Sequence, residues 1–202
     1  MLVIGLTGGS GVGKGCVSRS LLRYGIEAID TDQTARSVCE KGSPCLNELV
    51  TAFGDGILNS DGTLNRPALA ALAFSDVERH KTLNKITHFH ILNQARIWLD
   101  GPRKAGKPAA VVDAPLLFES GVDGECDVII AVTAPRDQRI KRLLARDSVS
   151  LEAIELRLSK QKDDGFYTEK ADFVIENNGS LEEIDRRVDE IVRRLFPHHT
   201  AE

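Results

Sequence analysis

The chain opens on MLVIGLTGGSGVGKGC, an apolar run at residues 2–6 that leads into a glycine-rich turn and ends on Lys14. No other stretch constrains the fold as tightly. Gly8, Gly13 and Lys14 fit the pattern G-x-x-x-x-G-K, with a strand-like run before it and a helix-compatible segment at 17–24 after it. The residue types follow from the task of wrapping a phosphate. Backbone N–H groups must point inward and approach closely, which glycine permits. The following helix aims its partial positive end at the same anion. Lys14 adds a mobile charge for the outer phosphates. A nucleoside triphosphate is therefore the expected ligand. Where the pattern wants Ser or Thr, the chain has Gly15, so the hydroxyl that usually touches magnesium is missing.

With 202 residues, 42% hydrophobic and 28% charged, the chain has the length and composition of a soluble globular domain with embellishments. A net charge of −4 argues against a dedicated nucleic-acid binder. The first apolar run is too short for a membrane span or a signal peptide, so no membrane and a cytoplasmic location are expected. Cys16, Cys39, Cys45 and Cys126 include no C-x-x-C pair and read as free thiols. His88 and His90, two apart, do not share a helix face and do not read as metal ligands.

Strand-like runs stand at 2–6, 25–30, 109–113, 126–132 and 172–175, with helical segments at 135–147, 150–161 and 181–195. The order predicts an α/β fold: a parallel five-stranded sheet, helices on both faces and right-handed crossovers. Residues 31–107 carry little strand signal. Helical stretches at 44–53, 65–74 and 76–99, the second opened by Asn65 and Pro67, predict a helical insertion large enough to form a substrate-binding cap.

Ligands of open parallel sheets bind beyond the carboxyl ends of the strands. There the second strand delivers Asp30 and Asp32, and the third delivers Asp113. Asp113, after an apolar strand, suits a magnesium-holding carboxylate, direct or through water; it also suits a turn before Ala114 and Pro115. Asp32 reads equally as a base for an acceptor hydroxyl and as the cap of a helix at 33–39. Arg139, Arg142 and Arg146 share a helix face by spacing. They suit either solvated surface or a lid closing on a transferring phosphoryl group.

Together these segments resemble the dephospho-coenzyme A kinase family over nearly the whole chain. The resemblance rests on IGLTGGSGVGKG at the start, IDTDQTAR at 29–36, DGTLNRPALAALAFSD at 61–76, LNKITH at 83–88, DAPLLFESG at 113–121, RLLARD at 142–147 and FVIENNGSLEE at 173–183. It implies a P-loop NTPase fold of three layers, α/β/α, with a helical substrate-binding insertion and a helical lid. Residues 1–32, 108–134 and 165–202 would form the nucleotide-binding core, 33–107 the coenzyme A-binding domain and 135–164 the lid. The implied reaction moves the γ-phosphoryl of ATP to the ribose 3′-hydroxyl of dephospho-coenzyme A, with Mg²⁺ as cofactor, in a monomer or small homo-oligomer. Asp32 matches the base, with Lys14 and Arg142 as further catalytic groups. Gly11, Val12, Gly13, Lys14, Gly15, Cys16, Arg142, Arg146 and Asn177 match the ATP side. Asp32, Arg66, Asn84, His88 and Leu116 match the acceptor side, and Asp113 the metal position.

The chain departs from the family pattern twice. The family usually reads G-K-S-T where this chain has Gly13, Lys14, Gly15 and Cys16, and tends to have His-Pro where this chain has His88 and Phe89. Loss of a proline restores a backbone donor. Gly15 cannot ligate magnesium, and Cys16 is too soft to suit it. Adenylate kinases resemble this loop, with glycine after the lysine, and magnesium can be held largely by phosphates and water. An active enzyme is expected, with Asp113 carrying more of the metal positioning.

Overall fold

The computed structural model describes residues 1–197. Residues 198–202, which the expected core segment 165–202 includes, lie outside the described residues. Two compact units are present: Met1–Ile29 with the chain from Pro102 onward, and Asp30–Gly101.

The first unit is built on β1 (Leu2–Thr7), β2 (Glu27–Asp30, whose last residue opens the second unit), β3 (Ala109–Asp113), β4 (Val128–Thr133) and β5 (Phe173–Glu176). The strands form one parallel sheet in the order β2-β3-β1-β4-β5. Leu6 pairs with Asp113, and Thr7 with Ala131, so β1 and β3 end within one residue of each other and β4 runs two residues further.

Apolar runs such as AAVVD form interior strands because both their faces are buried. On one face, Ile4, Leu6, Val111, Ile130, Val132 and Ile175 pack against α1 (Lys14–Leu22) and the last helix, α9 (Leu181–Leu195), through Val17, Leu21, Ile184, Val188 and Ile191. On the other, a Cβ at Gly5 would lie 2.9 Å from both Cys126 Sγ and Leu117 Cδ2. That β1 position therefore excludes a side chain. Helices α6 (Arg136–Arg146), α7 (Leu151–Ser159) and α8 (Asp164–Thr168) connect β4 to β5.

In the second unit, α2 (Thr31–Ser37), α3 (Pro44–Phe53) and α4 (Arg66–Ala73) precede the long α5 (Val77–Lys104), whose last three residues belong to the first unit. Ser43 caps α3, its Oγ accepting from Leu46 N at 3.1 Å, with Pro44 at the first helical position. Asn65 caps α4 in the same way, accepting from Ala68 N at 3.0 Å. Cys39, Cys45, Leu49, Ile57 and Leu69 form a core of their own.

Several elements depart from the sequence expectation. α1 begins at Lys14 rather than 17, because Gly13 ends the loop in a left-handed conformation and the helix starts at once. α5 continues beyond the expected end at 99, through Asp100-Gly101-Pro102, to Lys104. Pro102 forfeits one helical hydrogen bond, and Arg103 and Lys104 suit the negative end of the helix dipole. α8 has only five residues, too few for a periodic signal. Among the described residues, no helix is long and apolar enough to cross a membrane.

Candidate active site

The loop at 8–13 joins β1 directly to α1. Gly13 caps α1 with φ 96° and ψ 29° and offers no side-chain acceptor to the first amides of the helix. Those N–H groups therefore form an anion-binding end. Two glycines are required by packing as well as by φ. A Cβ at Gly13 would collide with Asn177 Nδ2. One at Gly11, with φ 78°, would sit 2.8 Å from Arg139 O. Gly15 is different. It lies in the helix and is exposed, and the nearest atom to a Cβ built there is Arg19 Nη1 at 3.8 Å. Nothing in the fold requires glycine at that position.

Lys14 folds back over the loop. Its Nζ donates to Gly8 O at 3.3 Å and lies 3.9 Å from Asp113 Oδ1. The other Asp113 oxygen accepts from Ser18 Oγ at 3.5 Å. Lysine, carboxylate and hydroxyl thus meet where β1 and β3 end. Sequence reasoning missed Ser18, whose one signal was its position one helical turn after Lys14. Asp113 and Ser18 offer hard oxygen donors, which suit magnesium. Among the described residues no group of three His, Cys, Asp or Glu side chains is placed to hold a metal. A magnesium ion that keeps several waters and takes most ligands from phosphates fits such a site. Cys16 is turned to another task, its Sγ accepting from Arg19 Nη2 at 3.1 Å.

The three arginines that share a face by spacing have three different surroundings. Arg139 is buried. It donates through Nε to Ser10 O at 2.9 Å, through Nη2 to Gln161 Oε1 at 2.9 Å and through Nη1 to Asp164 Oδ1 at 3.4 Å. Gln161 accepts from Ser10 N at 3.0 Å and donates to Ser10 Oγ at 2.8 Å. One loop residue is thus clamped by two side chains distant from it in the chain. Arg142 donates to Gly11 O and Val12 O at 3.4 and 3.3 Å and to Asn177 Oδ1 at 3.0 Å. Asn177 is 3% exposed and donates to Val12 O at 2.7 Å. Its amide therefore braces the loop from behind. Arg146 is exposed and bonds Asp147 at 2.7 Å, as does Arg157 at 2.6 Å. These two guanidinium groups hold the Asp147 carboxyl down at about 2.

In the second unit the aspartate pair divides its work. Asp30 is the cap of α2, its Oδ1 accepting from Asp32 N at 2.8 Å and Gln33 N at 3.2 Å. Asp32 is therefore not the cap. It lies in the first turn of α2, exposed. Arg66 starts α4 and donates to Arg36 O at 3.4 Å. Asn84 and His88, four apart, share a face of α5 with His80, and Asn84 Nδ2 lies 3.4 Å from His80 Nε2. Burial, and then the nearby His80, lower the His88 pKa. His90 has a different partner, Glu48 Oε1 at 3.1 Å. Leu116, in the first unit after β3, is exposed.

Comparison with known proteins decides the family. The dephospho-CoA kinase family model matches residues 2–183. The chain belongs to the dephospho-CoA kinase family. The dephospho-CoA kinase of Corynebacterium efficiens is 43% identical over 97% of this chain and 98% of its own. That of Moorella thermoacetica is 45% identical over 90% of this chain and 86% of its own. Among solved structures, dephospho-CoA kinase from Campylobacter jejuni has a TM-score of 0.70 at 25% identity, covering 98% of each chain. Shikimate kinase from Acinetobacter baumannii, with a TM-score of 0.53 at 17% identity over 98% of this chain and 94% of its own, shares the fold. The expected α/β P-loop kinase architecture and the kinase assignment both hold.

Proposed function

We propose that this kinase of coenzyme A biosynthesis transfers the γ-phosphoryl of ATP to the ribose 3′-hydroxyl of dephospho-coenzyme A, giving ADP and coenzyme A. The meeting of Lys14, Asp113 and Ser18 at the foot of an uncapped helix N-terminus carries the donor half of the reading. Family membership carries the acceptor.

Each residue then has a chemical task. The amides from Gly11 to Cys16 bind the ATP phosphates, and Lys14 neutralises charge on their outer oxygens. Asp32 accepts the proton of the acceptor hydroxyl as the new P–O bond forms. Asp30 is consistent with this role, since it, and not Asp32, caps α2. Arg142 places its charge against the loop, and Arg146 adds a second where the phosphoryl oxygens gain charge. Asn177 serves ATP by fixing Val12 and Arg142. Arg66, Asn84, His88 and Leu116 bind the acceptor. Asp113, with Ser18, would hold magnesium directly or through water, and would thereby supply charge shielding of the phosphoryl oxygens.

Residues 1–32, 108–134 and 165–202 serve as the nucleotide core, 33–107 bind coenzyme A, and 135–164 close as a lid. The enzyme works in the cytoplasm as a monomer or small homo-oligomer, without nucleic acid or membrane. An acceptor panel tests the reading: ADP release from ATP and magnesium with dephospho-coenzyme A, shikimate or a nucleoside monophosphate. Turnover with dephospho-coenzyme A alone is expected. Turnover with only one of the others would overturn the acceptor assignment, and binding without turnover would overturn the kinase reading.

A further inference from the structure

Cys39 and Cys45 are six residues apart, a spacing that matches no redox or metal motif, yet the fold brings their sulfurs to 3.5 Å. Both are buried and free, within the core of the second unit. Cys39 lies in the turn after α2, and Cys45 is the second residue of α3. The turn between two helices therefore sets the pair, and neither partner is the lone buried thiol that core packing alone supplies.

We propose that Cys39 and Cys45 are an oxidation site, a dithiol that a peroxide converts reversibly to an intramolecular disulfide. The two sulfurs are not equivalent. The two thiols share one contact in which either sulfur can donate, and that contact, and then Arg66 nearby, lower the Cys39 pKa despite burial. The same contact, burial and the Cys39 and Glu48 charges push the Cys45 thiol up. Cys39 is thus the nucleophile and Cys45 the resolving thiol. The Cys39 thiolate attacks a peroxide oxygen. An S–O bond forms, the O–O bond breaks, and the other oxygen leaves as water or alcohol after taking a proton. Cys45 then attacks the Cys39 sulfur. The S–S bond forms, the S–O bond breaks, and the hydroxyl leaves as water with the Cys45 proton. Two thiols lose two electrons and one peroxide gains them. Cys39 is 5% exposed and Cys45 1%, which admits a peroxide more readily than a bulky thiol reagent.

The site does not depend on the reading of the substrates, and trypsin reads it directly. Cleavage after Lys41 separates residues 37–41, with Cys39, from residues 42–79, with Cys45, because Pro67 protects the bond after Arg66. The folded full chain is treated with graded hydrogen peroxide, blocked with N-ethylmaleimide in denaturant and digested. The expected product is the two peptides linked, two hydrogens lighter than their sum and separated by dithiothreitol. Cys126 is the internal control, since burial and then the neighbouring acids Asp123, Asp127 and Glu125 push its thiol up to about 12. The link should be half formed at a dose about tenfold below that which modifies Cys126. Cys39→Ser should abolish the link and leave Cys45 open to alkylation, and peroxide applied to the denatured chain should consume Cys39 and Cys126 at the same dose. Three results would overturn the proposal. They are both thiols alkylated at a dose that oxidises Cys16, Cys39 over-oxidised beside an alkylated Cys45, and Cys39 linked to Cys16 or Cys126.

Discussion

Gln161→Leu isolates the clamp on the phosphate loop. The substitution keeps the side chain's approximate volume and removes three hydrogen bonds. These are acceptance from Ser10 N at 3.0 Å, donation to Ser10 Oγ at 2.8 Å and acceptance from Arg139 Nη2 at 2.9 Å. Each is worth about 0.5–1.5 kcal/mol net, and more where the abandoned group stays dry. Ser10 and Gln161 are half-buried, so water replaces part of the loss. About 1–2 kcal/mol is then the expected effect, carried mostly by loop geometry. At about 1.4 kcal/mol per tenfold, this raises the KM for ATP about 5- to 30-fold. The KM for the acceptor should change little, because Ser10 belongs to the donor loop. Steady-state kinetics with each substrate varied in turn, alongside urea unfolding, measures both. An ATP KM within about twofold of wild type would refute the clamp as a loop-positioning device. Equal increases in both KM values would show general damage instead.

Asp32→Ala should cut kcat by about 10²-fold or more, the usual scale for a general base, and a near-normal rate would refute that role. Asp30→Ala should cost about 1 kcal/mol of stability through the lost α2 cap, seen by chemical denaturation. Gly15→Ser should be accommodated, since a side chain there meets only Arg19 at 3.8 Å. Its kcat should stay within about twofold if phosphates and Asp113 already hold the metal, and a large fall in the magnesium needed for half-maximal rate would show that they do not. Asp147→Asn tests a depressed carboxylate. Its contribution is complete above the unfolded value of about 4 and is lost as pH falls through the folded value of about 2, so wild-type and variant unfolding curves should differ at pH 6 and converge below about pH 2.

Local chemistry made part of this legible in the sequence. Gly8, Gly13 and Lys14 announce the loop because spacing within seven residues carries its geometry. Asn65 and Pro67 announce α4 because a cap acts within one turn. What stayed hidden depends on contacts across the chain. Gln161 reaches Ser10 over 151 residues, and Ser18 reaches Asp113 over 95. Arg139, Arg142 and Arg146 look alike along a helix, and only their surroundings make one a buried clamp, one a loop brace and one an exposed partner of Asp147. Asp32 reads in the sequence as either base or cap, and the structure gives the cap to Asp30 instead.

The most direct test of the central claim is the position of the transferred phosphorus. The protein is incubated with ATP, magnesium and dephospho-coenzyme A, and ADP is counted by a coupled assay while the product is read by phosphorus–proton correlation. The account predicts one ADP per coenzyme A formed, a new phosphate monoester on the ribose 3′-oxygen, and no turnover of the 3′-deoxy acceptor. Phosphate on any other oxygen, or ADP released at the same rate with the 3′-deoxy acceptor, would contradict it.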